Sequence, residues 1–396
     1  MNKKTVRDID VLGKRVLLRV DFNVPLDPQT GAIADDTRIR VALPTVSYLC
    51  DNRARVVLCS HLGRPTNKDQ ALTLAPVAQR LSQLLDQEVK MAPDCVGPEV
   101  EEMVSTLDEG GVLMLENLRF HPEEEKNDPA FAQALAKLAD VFVNDAFGTA
   151  HRAHASTVGV TRYLPAVAGF LIEKELEIMD KALNKPDRPF TALIGGAKIS
   201  DKMGVLENIL DKVDSLLIGG GMGTTFLKSL KYETGESLVE EEKVGLAQKL
   251  IDKAMEKGVH LLLPSDVVVA NKFDAEAKFR TVSIKNVPHG WYLMDIGPET
   301  IKQFAAKLRK SKTVIWNGPV GVFEFPNFRK GTQALAEVIA DLDANTVIGG
   351  GSTAEAVQEL GLVHKMTHVS TGGGASLKFL EGKPLPGVDA LLDKQE

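Results

Sequence analysis

The sequence predicts an α/β protein built from two doubly wound, Rossmann-like parallel-sheet domains. The chain has 396 residues, more than one hydrophobic core usually sustains. Short runs rich in β-branched residues alternate with helical patterns along its whole length, which is typical of βα repeats. These runs are apolar throughout rather than at alternate positions. Such strands are typical of a parallel sheet that is covered on both faces.

Composition and charge exclude several classes of protein. The chain is 44% hydrophobic and 26% charged, which is ordinary for a soluble globular protein. Its formal net charge of −7 argues against broad binding of nucleic acid or acidic membranes. The N-terminus lacks an apolar signal segment, and no window approaches about 18 apolar residues. The cysteines Cys50, Cys59 and Cys95 form no CxxC pair and are predicted to be free, buried thiols in a cytoplasmic protein.

The first domain is predicted over residues 1–168. Its strands are expected in RVLLRVDFNV, ARVVLCSHLGR, GVLMLENLRF and DVFVNDAFG, with helices in LAPVAQRLSQLL and DPAFAQALAKLA. The acidic run Glu123–Glu125 is predicted to be a solvated helix start without a function. From Gly169, GFLIEKELEIMDKALNKPDRP predicts a long helix over 169–185 that connects the domains and ends in a Pro-rich turn.

The second domain is predicted over residues 186–382. Its strands are expected in FTALIGGAK, SLLIGGGMG, HLLLPSDVVVA, KTVIWNGPVG, NTVIGGGST and MTHVSTGGGAS, with a helix in GLAQKLIDKAMEK. In open parallel sheets, ligands bind beyond the carboxyl ends of the strands. The residues that follow each strand are therefore the candidates for chemistry.

The strand ends of the first domain carry cations and hydrogen-bonding groups. They are Asp21, Asn23, Arg38, His61, Arg64, Arg119, His151, Arg152 and His154. Arginine offers a planar set of donors that suits phosphate or carboxylate. A single arginine is more often solvated or paired with an acid. Four arginines at successive strand ends favour a pocket for a small polyanion.

Two other groups of polar residues in this domain are not predicted to belong to the anion pocket. Arg19 lies inside an apolar strand and is predicted to be a paired structural charge. HRAH has the spacing of two metal ligands, but no third ligand is evident, so a metal site is not predicted there.

The strand ends of the second domain carry glycine instead. The glycine groups are Gly195–Gly196, Gly219–Gly221, Gly349–Gly351 and Gly372–Gly374. Glycine lets backbone N–H groups approach phosphate oxygens, and a following helix N-terminus adds partial positive charge. Lys198 and Lys202 are four apart and would share a face if GGAKISDK opens a helix. One such loop could be only a tight turn, whereas four favour a phosphate site.

The usual nucleotide motifs are absent. GGGMGTTF has Thr224 at the third glycine position of G-x-G-x-x-G, and no G-x-x-x-x-G-K-[ST] exists. The protein-kinase signatures are also missing.

Long motifs nevertheless resemble one family. RVDFNVP, SHLGRP, ENLRFH, NDAFGTAHRAHAS, GGAKISDK, DSLLIGGGM, WNGPVGVFEF and HVSTGGGASL are similar to phosphoglycerate kinases, in the family's order from Arg19 to Leu377. The resemblance implies a monomeric glycolytic enzyme that reversibly transfers a phosphoryl group from 1,3-bisphosphoglycerate to ADP. It implies phosphoglycerate on the first domain, Mg²⁺ with ADP or ATP on the second, and closure about a hinge. It also implies that the tail, about 383–396, packs back on the first domain.

The resemblance also assigns roles to residues. It implies phosphoglycerate binding by Asp21, Phe22, Asn23, Arg38, His61, Leu62, Gly63, Arg64, Arg119 and Arg152. Of these, His61, Arg64, Arg119 and Arg152 would hold the phosphate that is not transferred. It implies nucleotide binding by Lys198, Lys202, Gly221, Leu293, Asn317, Gly318, Val320, Glu324, Gly350, Gly351, Ser352 and Thr353. Arg38, Lys198, Gly372 and Gly373 would stabilise the phosphoryl group in transfer.

Two positions depart from the family pattern. Ser352 stands where the family usually has the aspartate that binds Mg²⁺, and serine is expected to remain a helix N-cap. A hydroxyl is a weaker ligand for Mg²⁺ than a carboxylate, so lower metal affinity or a bridging water is expected. Leu293 stands where glycine is common, and it is expected to pack on the adenine or to narrow its pocket.

Three other classes of protein fit the sequence less well. A nicotinamide dehydrogenase would share two α/β domains, but G-x-G-x-x-G is missing. A binding protein that has lost catalysis would fit Ser352, but Arg38, Lys198 and Lys202 are all present. A structural protein would not need two anion sites. The sequence therefore predicts an enzyme.

Overall fold

The protein folds into two compact units. The computed structural model describes residues 2–394. Unit 1 contains the chain up to Glu177 together with the segment from Pro384, and unit 2 is Ile178–Lys383. Within the described residues, no helix is long and apolar enough to cross a membrane.

Unit 1 is a six-stranded parallel sheet with helices. Its strands are β1 Arg15–Arg19, β2 Arg55–Cys59, β3 Val89–Met91, β4 Val112–Met114, β5 Val141–Asn144 and β6 Ala166–Ala168. Its helices are α1 Thr37–Asp51, α2 Ala75–Leu85, α3 Pro98–Ser105 and α4 Pro129–Ala136, followed by α5 Phe170–Asn184, which runs into unit 2.

The strand order of unit 1 is β3-β4-β2-β1-β5-β6. The chain starts in the middle with β1, builds one side, and then crosses to β5 on the other side. The order therefore reverses between β1 and β5, where Arg19 is paired with Asn144. A reversal of this kind opens a crevice at the carboxyl ends of the strands. The residues after β1, β2, β4 and β5 therefore share one edge of the sheet.

The last segment of the chain is part of unit 1. It contains the short helix α13, Pro386–Asp389. The backbone N–H of Gly387 donates to Ala150 O at 2.9 Å, and the Asn144 side chain donates to Gly387 O at 2.9 Å. Lys3 and Asp393 form an ion pair of 2.8 Å. This segment thus contacts both the start of the chain and the end of β5.

Unit 2 contains a second six-stranded parallel sheet and a small antiparallel one. Its strands are β7 Phe190–Ile194, β8 Ser215–Ile218, β9 His260–Leu262, β10 Asp266–Ala270, β11 Phe279–Ser283, β12 Tyr292–Ile296, β13 Thr313–Asn317, β14 Asn345–Gly349 and β15 His368–Val369. Its helices after α5 are α6 Met203–Ile209, α7 Met222–Ser229, α8 Val244–Glu256, α9 Pro298–Leu308, α10 Lys330–Ala340, α11 Gly351–Glu359 and α12 Gly373–Leu380.

The large sheet of unit 2 has the order β15-β14-β13-β7-β8-β9. Its order reverses between β7 and β13, where Ile194 is paired with Asn317. All of its strand pairs are parallel, and its central strands β7 and β13 are buried along their full length. The predicted doubly wound α/β class is confirmed in both units.

The small sheet, β11-β10-β12, is antiparallel and was not predicted. The run HLLLPSDVVVA was expected to be a single strand, and that prediction is wrong. The run divides at Pro264 into β9 of the parallel sheet and β10 of the antiparallel sheet. Proline lacks the N–H that a continuous ladder needs, so the chain changes sheet at this residue.

Candidate active site

At the carboxyl edge of the unit 1 sheet, an ion pair forms directly after β1. The Arg38 guanidinium, on α1, donates to Asp21 Oδ2 at 2.5 Å. Burial alone would raise the pKa of Asp21, but the charges of Arg38 and Arg19 outweigh it and hold the pKa below its ordinary value. A Cβ on Gly148 would lie 2.2 Å from Asp21 Oδ2, so only glycine fits against this pair.

A second set of contacts holds the loop after β2. Asn23 Oδ1 accepts the N–H of Gly63 at 2.8 Å, and Arg119 donates to Gly63 O at 2.6 Å. Asn117 is fully buried, and its amide donates to Leu62 O and accepts from the N–H groups of Leu62 and Arg119. Asn117 was not singled out from the sequence, although it lies inside ENLRFH. Its role in unit 1 is to fix the two loops that carry the basic side chains.

Three other guanidinium groups lie near enough to Arg119 to affect its pKa. Burial lowers the pKa of Arg119, Glu125 opposes this, and the charges of Arg152, Arg19 and Arg64 lower it further. Arg64 is exposed, and Arg152 donates to the His151 ring at 3.2 Å. Cations that repel one another in this way are stabilised by a bound anion.

His61 is buried and belongs to the same edge, with 5% of its surface exposed. Burial lowers its pKa well below the ordinary value, and the charges of Arg19, Arg119 and Arg38 add to this effect although Asp21 opposes it. His61 therefore supplies a neutral ring at pH 7, not the positive charge that a basic site would suggest. Phe22 and Leu62, also predicted here, are buried in the core beneath the loops.

Glu124 corrects the prediction for the acidic run. Glu123 and Glu125 are exposed, but Glu124 has 1% of its surface exposed and precedes α4 by several residues. Its carboxylate accepts from Ser156 Oγ at 2.6 Å and from the Ser156 N–H at 3.0 Å. The run is therefore not a solvated helix start, because one of its carboxylates is an internal hydrogen-bond acceptor.

A group of possible metal ligands lies elsewhere in unit 1. One ligand atom each from Asp94, Cys95 and His121 lies within 4.8 Å of the others. Asp94 is already paired with Lys68 at 2.6 Å and with His121 at 2.6 Å, and burial raises the pKa of Cys95 well above its ordinary value. Cys50, Cys59 and Cys95 are free thiols, as predicted. Cys59 and Cys95 are buried as expected, but Cys50 is only half-buried, so that part of the prediction is wrong.

In unit 2, several of the glycines after the strands pack against one another's backbone. A Cβ on Gly195 would lie 2.1 Å from Pro319 O, and one on Gly318 would lie 2.2 Å from Gly195 O. Gly318 has φ +101°, which also favours glycine. A Cβ on Gly221, which precedes α7, would lie 2.7 Å from Ala197 O. These glycines bring the ends of β7, β8 and β13 together at the reversal of the strand order.

Lys202 and Asn317 form the polar centre of this edge. The Lys202 ammonium donates to Asn317 Oδ1, and burial lowers the pKa of Lys202. Asn317 is fully buried, and its Nδ2 has no hydrogen-bond partner. A Cβ on Gly350 would lie 3.2 Å from this Nδ2, which places the unused donor beside the loop before α11. An oxygen-rich ligand could satisfy it.

Two helices begin next to this loop. A Cβ on Gly373, the first residue of α12, would lie 2.8 Å from the backbone nitrogen of Gly351, the first residue of α11. Gly372 and Gly350 are the respective N-cap residues. Two helix N-termini, with their unpaired N–H groups and partial positive charges, therefore lie side by side.

The prediction that Ser352 is the N-cap is wrong. Gly350, with φ +91°, is the N-cap, so Ser352 is the second residue of α11 and is exposed. The next residue, Thr353, is buried, and its hydroxyl accepts the N–H of Gly318 at 2.6 Å.

Lys198 and Lys202 do not share a helical face. Lys198 is exposed and precedes a short 3₁₀ helix, Ser200–Lys202, whereas Lys202 is largely covered. Helix α6 begins only at Met203. In GGAKISDK, the Lys198 side chain is therefore exposed to solvent, whereas the Lys202 ammonium is hydrogen-bonded to Asn317.

The remaining predicted residues of unit 2 lie on neighbouring segments. Val320 is buried, and Glu324 is exposed. Leu293 is half-buried on β12, packs against the apolar cluster of the antiparallel sheet, and donates its N–H to Ser237 Oγ at 2.7 Å.

Comparison with known proteins identifies the family. The family model described as phosphoglycerate kinase matches residues 6–383. The chain belongs to the phosphoglycerate kinase family. It is an enzyme of glycolysis that reversibly transfers a phosphoryl group from 1,3-bisphosphoglycerate to ADP, giving 3-phosphoglycerate and ATP.

Relatives cover the whole chain. The phosphoglycerate kinase of Moorella thermoacetica is 58% identical over 395 residues, covering 100% of both chains. That of Synechococcus sp. is 59% identical over 396 residues, covering 96% of each. The solved phosphoglycerate kinase of Coxiella burnetii is 41% identical, with a TM-score of 0.89 over 98% of both chains.

Proposed function

We propose that unit 1 binds the phosphoglycerate and that unit 2 binds the nucleotide. The observation that supports this is the unlike chemistry of the two sheet edges. In unit 1 the edge carries guanidinium groups, whose planar donors suit the phosphate and carboxylate of a small polyanion. In unit 2 it carries glycine backbone, one covered ammonium and two adjacent helix N-termini, which suit a polyphosphate.

On unit 1 the roles divide by position. Arg64, Arg119 and Arg152 hold the phosphate that is not transferred, because their mutual repulsion is relieved by an anion. The neutral His61 ring donates a hydrogen bond to the same group. Asn23 keeps the loop of Gly63 in place for them. Asp21 orients Arg38, which remains half-exposed and available to the group that moves.

On unit 2, Lys202 and Asn317 Nδ2 bind phosphate oxygens, with N–H donors from Gly350, Gly351 and Thr353. The adenosine lies against the segment that contains Gly221, Val320 and Glu324, and Leu293 borders it from β12. The unused Asn317 donor supports this assignment, since a buried amide without a partner costs about 1–3 kcal/mol.

The chemistry needs neither a covalent intermediate nor a general base. The acceptor is the carboxylate of 3-phosphoglycerate, which is already ionised at pH 7. Catalysis therefore consists of positioning the reactants and stabilising the charge of the phosphoryl group. Arg38 and Lys198 supply that charge, and the N–H groups of Gly372 and Gly373 add donors.

A pair of substitutions tests the charge-stabilising role. Arg38→Ala and Lys198→Ala should each lower turnover about 10²- to 10³-fold, the scale for loss of one preorganised donor. Steady-state ATP consumption with 3-phosphoglycerate measures this. Arg40→Ala is the matched control, because Arg40 lies on the same helix and pairs with Asp36. Turnover in the Arg38 and Lys198 variants that equals the control would contradict the assignment.

We also propose that Mg²⁺ accompanies the nucleotide. The donor set fits the ion: Ser352 is exposed at the start of α11, and Glu355, also exposed, shares its face one turn later. One hydroxyl and one carboxylate, with waters and phosphate oxygens, suit a cation that keeps most of its water. The ion neutralises charge on the transferring phosphate.

A magnesium titration tests these ligands. ADP affinity, measured by calorimetry as a function of Mg²⁺, should require less metal in Ser352→Asp and more in Glu355→Gln. Glu359→Gln is the control, because Glu359 is on the same helix but pairs with Arg329. Identical magnesium dependence in all four proteins would remove Ser352 and Glu355 from the metal site.

We propose further that the enzyme is a monomer of the cytoplasm. Sedimentation equilibrium measures the first point, and a mass near 42.9 kDa is expected. A mass of twice that value would contradict it.

A further inference from the structure

A buried hydrogen-bonded chain leads from Glu124 to His61. Arg19 Nε donates to Ser156 Oγ at 2.8 Å, and Ser156 Oγ donates to Glu124 Oε1 at 2.6 Å. At the other end, Arg19 NH2 lies 3.2 Å from His61 Nδ1. Arg19, Ser156 and Glu124 each have 1% or less of their surface exposed. The chain thus connects a residue outside the predicted site to one within it.

The direction of each hydrogen bond is determined by chemistry. A guanidinium has only donors, so His61 Nδ1 must accept from Arg19. A neutral imidazole that accepts at Nδ1 carries its proton on Nε2. Because burial and the neighbouring arginines hold the pKa of His61 well below its ordinary value, the ring stays neutral at pH 7. His61 therefore has one tautomer, with a donor at Nε2.

At the other end of this hydrogen-bonded chain, Glu124 determines the direction of the hydrogen bonds of Ser156. The Ser156 hydroxyl donates its proton to the carboxylate, which leaves only oxygen lone pairs for Arg19 Nε. The neighbouring carboxylate Asp21 is paired with Arg38. Glu124 is thus the carboxylate to which Arg19 is hydrogen-bonded through Ser156. A buried guanidinium without such a partner would be strongly disfavoured.

We propose that Glu124 is a positioning residue, which acts through Ser156 and Arg19 to hold His61 as the Nε2–H tautomer that donates to phosphoglycerate. This inference rests on the proposed role of His61 in binding that substrate. Glu124 itself does not contact the substrate. Its effect is on the affinity for phosphoglycerate and not on the nucleotide.

The test replaces the carboxylate with an amide of the same shape. Glu124→Gln removes the negative charge, and its amide can donate to Ser156 Oγ. Arg19 then loses the carboxylate that, through Ser156, holds its guanidinium against His61. Glu123→Gln is the matched control, because it makes the same chemical change at the exposed neighbouring residue. We expect the KM for 3-phosphoglycerate to rise about 10-fold or more in Glu124→Gln, the scale for a disrupted buried hydrogen bond to a charged group. The KM for ATP should match the control.

A spectroscopic measurement reports on the tautomer directly. In protein with ¹⁵N-labelled histidine, the His61 signals are assigned by their loss in His61→Gln. The native protein should show an unprotonated Nδ1 and a protonated Nε2 in His61. Glu124→Gln should lose this pattern, whereas Glu123→Gln should keep it. A role in folding alone would lower stability but would leave both the tautomer and the KM for 3-phosphoglycerate unchanged.

A second variant distinguishes an effect on His61 from a folding defect. Ser156→Ala removes the bridge without placing an amide in the core, and it should produce the same two changes. If a folded Glu124→Gln or Ser156→Ala protein keeps both the native KM and the native His61 signals, the proposal is wrong. A third outcome separates the two proposals. If the signals change but His61→Gln itself leaves the KM for 3-phosphoglycerate unchanged, the hydrogen bonds from Glu124 to His61 do control the tautomer. The proposed role of His61 in binding is then overturned instead.

Discussion

At the scale of single residues, the candidate site of unit 1 depends on a glycine, Gly148. Gly148 follows β5 in NDAFGTAH, and a Cβ at this position would lie 2.2 Å from Asp21 Oδ2 and 3.5 Å from a guanidinium nitrogen of Arg38. Its backbone conformation is not one that requires glycine, since its φ is not positive. The requirement is therefore steric. The sequence shows a glycine here, but the neighbour that makes it necessary lies more than a hundred residues away.

Gly148→Ala should accordingly displace Asp21 and Arg38. We expect a loss of about 1–3 kcal/mol in the free energy of unfolding, the usual cost of overpacking, together with a higher KM for 3-phosphoglycerate. Urea unfolding and steady-state kinetics measure the two effects. Gly245→Ala is the control, because Gly245 lies in α8 with nothing within 4 Å of a new Cβ. Equal behaviour of the two variants would show that the Asp21 pair tolerates the methyl group.

At the scale of elements, a buried carboxyl group from another part of the chain accepts N–H groups in the first turn of each of two helices. Asp145, after β5, accepts the N–H groups of Leu171 and Ile172 at the start of α5. Asp295, on β12, accepts the N–H of Gly331 at the start of α10. Burial raises the pKa of each of these carboxyl groups to about 7. The N-cap residue of α10, Arg329, makes no side-chain cap, and Gly169, directly before α5, has no side chain.

These two groups make stability depend on pH. A folded-state pKa above the unfolded value means that the folded protein binds the proton more tightly. Their contribution is therefore complete below the unfolded pKa, near 4, and is lost as the pH rises to about 7. Asp145→Asn and Asp295→Asn should each flatten the fall in the free energy of unfolding between pH 4 and 8, by up to a few kcal/mol.

Urea unfolding across that pH range measures this effect. Asp108→Asn is the control, because Asp108 is an exposed loop residue. A pH profile of Asp145→Asn that is parallel to that of the control would show that Asp145 does not titrate in this range.

At the scale of the whole molecule, both units contain a doubly wound parallel sheet, but the strand arrangement and the chemistry at the sheet edge differ. The reversal divides the first sheet into four strands and two, and the second into three and three. Both parallel sheets start in the middle and reverse their order, and in both the candidate residues follow the strands at the reversal. Topology explains where each candidate site lies, and the side chains decide which ligand suits it.

Hydrogen exchange read by mass spectrometry should separate the two proposed ligand sites. A ligand stabilises the state that binds it, by about 2.7 kcal/mol at one hundred times its Kd. 3-Phosphoglycerate alone should slow exchange most in peptides of unit 1, and ADP alone in peptides of unit 2. Arg119→Ala should remove the first effect and keep the second. Protection of unit 2 by 3-phosphoglycerate in the native protein would contradict the division of ligands.

The sequence by itself determined the fold class, the family and the positions where candidate residues lie. These follow from local signals: apolar runs of strand length, glycine or arginine directly after them, and long motifs in a fixed order. The tertiary structure alone decided which of those residues meet and in what state. Glu124 is buried, His61 is neutral, Ser352 is not an N-cap, and β10 belongs to a separate sheet. Each of these depends on burial or hydrogen bonding by residues far apart in the chain, and a sequence pattern contains no information about such neighbours.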